Sequence, residues 1–475
     1  MKLESLGARG AGRAAIACGR CGLASLALAW LLFVAGAAAA SAARGTEVAG
    51  EPNAGGGASA AGAARTDSLT VDDAVRLALA NHPAVIQAEQ GLAAAEARIG
   101  TSRSPLYPDI SLSGAYTRIG PVPEFDILKV GSEKLAPENN YDLHLGLRQT
   151  LYDFGKTRTS VELARAGCET AADYVNQVKS NLAYRTISIF NSILILRQSV
   201  AVLDEQIDAL NQHLEVSRKK VRAGTATDFD VLTTQVRIAL ARNDRIDAAN
   251  GLEAQEIAFR QLTGWPAGPP VRLKGEFARS PVFLDSTAAL AAAFEQRPEI
   301  VMARDAENSG ALQAHFASLG DKPSLALILA SGFRNGYPSN LDQLKANYAA
   351  GFQFQFPVYN GHRTRSQKFE AEANLRSAKA RTEDLKRQIA AEVEQAMAKA
   401  QASWEKTANA EVLVKQAEEA VSMGKIKYEA GVVTNMDLLD AETTLTQAKL
   451  GYLRALYAYS ASLVDFDRAT GKRIW

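Results

Sequence analysis

The sequence predicts a mainly α-helical fold with β-strands, built twice, in which pairs of membrane-type strands alternate with very long helical hairpins. Three observations predict it. Landmark motifs recur in the same order about 210 residues apart, stretches of about ten residues alternate apolar with polar, and two long runs carry helical periodicity without a proline. The bulk composition agrees. Of 475 residues 47% are hydrophobic and 22% charged, as in ordinary folded protein, and an aromatic share of only 7% beside abundant alanine suits long helices. A formal net charge of +1 gives no basic excess, so nucleic acid is not an expected partner.

The chain opens on what reads as a secretory signal peptide, residues 1–42. Lys2, Arg9, Arg13 and Arg20 precede an apolar run beginning at Leu23, and Ala40-Ser41-Ala42 places small residues at a cleavage spacing. An uncleaved inner-membrane anchor is the other reading, which the alanine-rich end of the run disfavours. The long charged region leaves room for a start further downstream. Cys18 and Cys21 fall before the apolar run, so only Cys168 belongs to the mature chain, which can form no internal disulfide. Residues 43–68 are rich in Gly, Ala and Ser and are expected to be a flexible linker. No later segment is apolar enough for a transmembrane helix, so a membrane span would have to be made of strands.

The repeat sets the domains. Residues 70–85 (TVDDAVRLALANHPAV) are echoed by 287–302 (TAALAAAFEQRPEIVM), with Pro83 matched to Pro298 and, at the same offset, Pro108 to Pro323. Leu151-Tyr152-Asp153-Phe154-Gly155 returns as Val358-Tyr359-Asn360-Gly361, and Arg222-Ala223-Gly224 with Asp230 returns as Glu429-Ala430-Gly431 with Asp437. A unit of about 200 residues is a duplicated domain and not a solenoid repeat. The two copies are 69–275 and 276–475. Each holds a short amphipathic helix (Val75, Leu79 and Val85; Leu290, Phe294 and Ile300), a strand pair (about 108–151 and 323–358) and a helical hairpin (about 155–264 and 361–470).

Tyr141, Leu143, Leu145 and Leu147 alternate with Asp142, His144, Gly146 and Arg148. Tyr348, Ala350, Phe352, Phe354 and Phe356 alternate with small or polar residues in the same way, and 110–116 and 325–333 are the expected partners. Such strands fit a half-buried soluble sheet, or, in an exported chain, a barrel wall facing lipid. The loops at 120–140 and 335–347 are polar, as external barrel loops are. Four strands cannot close a membrane barrel, so several copies must share one. The helices follow: 156–222 and 362–429, each roughly 100 Å at the rise of an α-helix, returning over about 229–262 and 436–469. Helices of that length need neighbours along their whole course.

A signal sequence followed by a duplicated helix, strand pair and helical hairpin resembles the TolC-like outer-membrane efflux family over residues 69–471. The resemblance is carried by L-Y-D-F-G-x-x-R at 151–158, P-V-Y-N-G at 357–361, and the turns R-A-G-T-A-T-D-F-D and Y-E-A-G-V-V-T-N-M-D-L-L-D-A. It implies a homotrimer in the cell outer membrane, whose twelve strands form one β-barrel continued into the periplasm by an α-helical barrel. It also implies a periplasmic adaptor (membrane fusion) protein and an inner-membrane pump of the RND, ABC or MFS type as partners. The glycine turns become the inner, periplasmic mouth, with Gly224, Thr225, Gly431 and Val432 as adaptor-docking positions. Thr227-x-x-Asp230 and Thr434-x-x-Asp437 read as capping-box variants, which accounts for both aspartates without a gate. Asp440, one turn beyond Asp437, has no such explanation. By resemblance Asp437 and Asp440 line the entrance as carboxylate rings that favour cations. The family's gate arginine is absent at Val433, so Tyr428 and Asp230 are left as the expected contributors to a weaker closed state.

Other signals do not survive. Gly155-Lys156-Thr157 resembles the end of a phosphate-binding loop, but Thr150 stands where its first glycine is required. The five histidines, at 82, 144, 213, 315 and 362, lack ligand spacing, and no nucleophile–base grouping is visible, so neither a cofactor nor an enzymatic activity is expected. A periplasmic adaptor would have one hairpin flanked by β domains. An envelope coiled-coil protein would leave the aromatic strands unexplained.

Overall fold

The computed structural model describes residues 68–127, 131–266, 271–277, 285–338 and 340–474. The expected signal peptide, and all but the last residue of the expected linker, lie outside the described residues. The duplication is visible in element lengths. Helices α1 (Val71–Asn81) and α5 (Ser286–Gln296) have 11 residues each, and α2 (Pro83–Arg103) and α6 (Pro298–Ser318) have 21 each. Strands β1 (Asp109–Arg118) and β4 (Asn139–Tyr152) belong to the first copy, β5 (Ser324–Arg334) and β6 (Lys345–Gln355) to the second. The helices α3 (Lys156–Arg222) and α7 (Arg363–Glu429) have 67 residues each, and their returns α4 (Asp228–Thr263) and α8 (Asn435–Ala469) have 36 and 35.

Two elements differ from the sequence reading. Each copy starts with two helices, not one. Pro83 and Pro298 sit at the first helical position after an extended His82 and Arg297, where a missing N–H costs nothing, so the chain turns and begins a second helix. The polar loop after β1 also holds a small antiparallel hairpin, β2 (Glu124–Ile127) with β3 (Gly131–Lys134), too short to announce itself by alternation.

The main sheet is antiparallel in the order β1-β4-β5-β6, leaving β1 and β6 as open edges among the described residues. Its register puts like faces together. Ile110 pairs with Leu147, Leu112 with Leu145, Leu143 with Phe333, Leu147 with Leu329, Leu327 with Phe352 and Leu325 with Phe354, which makes one continuous apolar face. The other face pairs Ser113 with His144, Asp142 with Arg334, Gly332 with Asn347 and Ala326 with Gln353; Ile328 is its large apolar exception. The apolar face points away from any core: Leu112, Phe352 and Tyr348 are 70%, 73% and 87% exposed. An exposed greasy face of this extent is a lipid-facing wall. Gly332 is required by crowding, since a Cβ there would meet the Leu143 carbonyl oxygen of the neighbouring strand.

Across the chain the long helices run in the order α7, α8, α3, α4, with α2 and α6 laid against α3 and α7. The two largest cores lie where the short helices dock midway along the long ones, one holding Ala74, Phe190, Ile193, Phe259 and Leu456 and the other Ala293, Ile300, Ile389, Val393 and Ala469. A further cluster of Leu210, Leu214, Ile238, Ala241 and Leu439 joins the long helices nearer the tips. Contrary to the sequence reading, one stretch of α3 does reach transmembrane apolarity, with a mean hydropathy of 1.5. Only 28% of that stretch is buried within the chain, and Phe190 and Ile193 of the same helix are fully buried in the first core.

Candidate functional site

The two hairpins end in matched turns, at 223–227 and 430–434. Gly224 and Gly431 both have φ of +74°, a conformation other residues resist, and a Cβ on either would meet nothing within 4 Å. Conformation alone calls for glycine here. After each glycine the chain closes back on the helix it leaves: Thr225 N donates to Lys220 O at 2.9 Å and Val432 N to Lys427 O at 2.8 Å, satisfying carbonyls at the helix ends.

The returning helices begin with capping boxes. Thr227 N and Oγ1 donate to Asp230 Oδ2 at 2.9 and 3.0 Å, and Thr434 N and Oγ1 to Asp437 Oδ2 at 2.8 and 2.7 Å. The Thr434 hydroxyl and amide hold the Asp437 carboxyl below its ordinary range. Asp440 has a partner that the sequence reading did not foresee. Arg237 Nη2, on α4, donates to its Oδ1 at 2.8 Å, so this carboxylate ties the second hairpin to the first.

Tyr428 is buried at the end of α7, its ring 5.1 Å from that of His213. Lys220 Nζ lies 3.8 Å from the Tyr428 ring centroid and donates to the Tyr428 carbonyl at 2.5 Å. Asn435, also buried, places Oδ1 2.6 Å from His213 Nε2, while its Nδ2 donates to Asp230 O and Thr233 Oγ1, both at 3.3 Å. Tyr428 and Asp230 are thus joined through His213 and Asn435, by the Asp230 backbone and not its carboxylate. The positions expected from the sequence to dock an adaptor stand clear of this packing: Gly224, Thr225, Gly431 and Val432 are exposed, Val432 by 72%.

Sequence reasoning missed Lys220, His213, Arg237, Asn435 and Glu442. His213 carried the readable signal, a polar residue beside Leu210 and Leu214 in an apolar stripe. Asn435 becomes legible only when the repeat sets it against Asp228.

A sheet with an outward apolar face and two open edges, carried on helices of about 100 Å, defines one chain of an oligomeric outer-membrane channel. The family model for outer membrane efflux proteins matches residues 74–265 and 289–472. Outer membrane protein TolC of Salmonella enteritidis is 24% identical over 389 residues, covering 80% of this chain and 77% of that protein. Alkaline protease secretion protein AprF of Pseudomonas aeruginosa is 23% identical, with 68% of each chain covered. Among solved structures, the Campylobacter jejuni CmeC outer membrane channel superposes with a TM-score of 0.73 at 17% identity, over 84% of this chain and 85% of that one. The chain belongs to the outer membrane efflux protein family, a family of outer-membrane channels that extend into the periplasm.

Proposed function

We propose that this chain is the outer-membrane conduit of a tripartite export system, a passive channel fed by a periplasmic adaptor and an inner-membrane pump. The observation that carries the reading is the sheet's pair of open edges beside its apolar face. An unpaired edge is not tolerated in lipid, so β6 of one copy must meet β1 of the next. Three such copies give a twelve-stranded barrel. The same rotation sets the edge helix α4 of one copy beside α7 of its neighbour, where exposed Phe229, Leu232 and Val236 on α4 and Met423 and Ile426 on α7 supply apolar surface. A protein that stays strictly monomeric after extraction from the outer membrane in detergent would overturn this reading; a heat-sensitive oligomer that passes current across a planar bilayer supports it.

Within the channel the two turns form the inner mouth. The exposed Gly224, Thr225, Gly431 and Val432 are the adaptor's docking positions, and Asp437 and Asp440 the entrance carboxylates. Closure relies on ties between hairpins, with Tyr428 and Asp230 contributing through His213 and Asn435. Single-channel current of Asn435→Ala, which removes the amide that reaches the Asp230 carbonyl, tests this tie, and unchanged current counts against it. The protein-secretion role in AprF's name makes exported protein one cargo class, and small toxic molecules are the other. Comparing the secreted proteome and the drug susceptibility of a deletion strain distinguishes them.

A further inference from the structure

Two helical turns beyond Asn435 on α8, Glu442 is buried at the junction of α3, α7 and α8. It is 5% exposed, yet neither carboxylate oxygen has a hydrogen-bond partner among the described residues. The nearest cation, Lys425 Nζ on α7, stands 3.7 Å from Oε1 and is itself half in solvent. The Ser217 hydroxyl of α3 and the Tyr428 hydroxyl of α7 are buried without partners in the same three-helix packing. Glu442 and Lys425 line a crevice of about 190 Å³ with Gln206, Glu205 and Lys449, the last two paired with each other at 2.9 Å. The charged and titratable groups around Glu442 are therefore Glu205 and His213 on α3, Lys425 on α7, and Lys449 on α8.

An ionised carboxylate in such a place has lost water and gained no hydrogen bond, whereas a neutral carboxyl is tolerated. Burial accordingly pushes the Glu442 carboxyl above its ordinary range, against the opposing pull of His213 and Lys425. Separation of the helices would return the group to water and to its ordinary range. The sign follows: the packed junction binds the proton more tightly, is most stable in acid, and loses that stability as pH rises through the elevated value.

We propose that Glu442 makes the packing of the second hairpin against α3 proton-linked, so that the inner mouth holds tightest in acid and loosens as pH rises. That the junction closes a mouth rests on the conduit reading; that it is proton-linked does not. For each chain the open-to-closed ratio changes by at most about tenfold per pH unit over the window between the two titrations.

The test uses the purified full-length oligomer, with amide-exchange protection over residues 421–449, corrected for intrinsic exchange, followed between about pH 4 and 8 beside single-channel current. Protection should fall and open probability rise with pH, and Glu442→Gln should hold both near their acid values throughout. Lys425→Gln, at a half-exposed site, removes the nearest cation and should move the transition to higher pH. Protection that responds to pH and is flattened by Glu442→Gln, in a protein that never conducts, supports the switch and sinks the conduit. Protection independent of pH, a Glu442→Gln response equal to the parent's, or a transition that Lys425→Gln leaves in place or moves downward overturns the switch and leaves the conduit standing. Should Glu442→Gln fail to assemble, the Lys425→Gln shift decides alone.

Discussion

The two hairpin tips repeat one another in backbone and differ in what they bury. Both have a glycine at φ +74°, the same closing bond back onto the helix, and a Thr–Asp cap three residues beyond. A shift of 207 residues sets Tyr428 on Val221, Asn435 on Asp228 and Glu442 on Gln235. Tyr428, Asn435 and Glu442 are buried, whereas Asp228 and Gln235 are exposed and Val221 is only half-buried. Turn geometry is local, so duplication preserves it wherever the local residues persist. Burial is set by neighbours, and only the second tip turns these positions inward against α3. The polar junction is thus a property of how the copies meet and of neither copy alone.

The sharpest test of that difference is a matched pair of alanine substitutions. Asn435→Ala removes the amide that holds His213 and reaches the Asp230 carbonyl, leaving buried polar groups short of partners, and should cost about 2–3 kcal/mol. Asp228→Ala, at the equivalent exposed position, should cost no more than about 0.5–1 kcal/mol, mostly its favourable charge in the first helical turn. Denaturant unfolding of the detergent-solubilised oligomer reads both. Equal losses would mean that the tips are energetically alike and that the buried polar contacts carry nothing special.

Where the tips are alike, effects should match. Gly224→Ala and Gly431→Ala each force a side chain into the left-handed region, at roughly 1–2 kcal/mol, with no steric clash to separate them. Thr227→Ala should cost about 1 kcal/mol, the usual loss of an N-cap threonine, and Thr434→Ala should resemble it. The second cap adds a pH dependence. Because Thr434 holds the Asp437 carboxyl below its ordinary range, that stabilisation is complete above the ordinary carboxylate range and fades as pH falls through the lowered value. Thr434→Ala should therefore lose in acid the part of its effect that runs through the carboxylate, and keep the part carried by the Asp437 N–H to Thr434 Oγ1 bond. A Thr434→Ala penalty that grew on acidification would refute the cap's role.

These contrasts also explain what the sequence made legible. Helix ends at Arg222 and Glu429 were readable because a glycine turn and a Thr–Asp cap are local chemistry, and the apolar stripes before them are long. The sheet's two faces were readable because alternation has no other cause. The break at His82-Pro83 was harder, since a proline tolerated at a first helical position looks, in sequence, like the end of one helix. The tip junction was illegible for a different reason. His213 meets Asn435 across 222 residues and Arg237 meets Asp440 across 203, and nothing local to either partner announces the other. Glu442 lies one turn from Leu438, Leu439 and Thr446, a buried stripe that marks its face as inward, but nothing in that stripe announces the third helix that covers the carboxylate.

The smallest expected effect falls on the tie that has no counterpart in the other tip. The same shift sets Asp440 on Thr233 and Arg237 on Thr444, and neither threonine carries a charge: Thr233 Oγ1 donates to Asp230 O and accepts from Asn435 Nδ2, and Thr444 Oγ1 donates to Asp440 O. With side chains 29% and 61% exposed, the Arg237–Asp440 pair is screened by water and salt, so Arg237→Ala should cost at most about 0.5 kcal/mol. Its consequence should lie in charge. Freed from Arg237, Asp440 would add a carboxylate per chain to the entrance, and the reversal potential across a salt gradient should move toward stronger cation preference. A stability loss exceeding that of Asn435→Ala would make this exposed pair the principal tie between hairpins. An unchanged reversal potential would place Asp440 outside the conducting path, whatever its pairing.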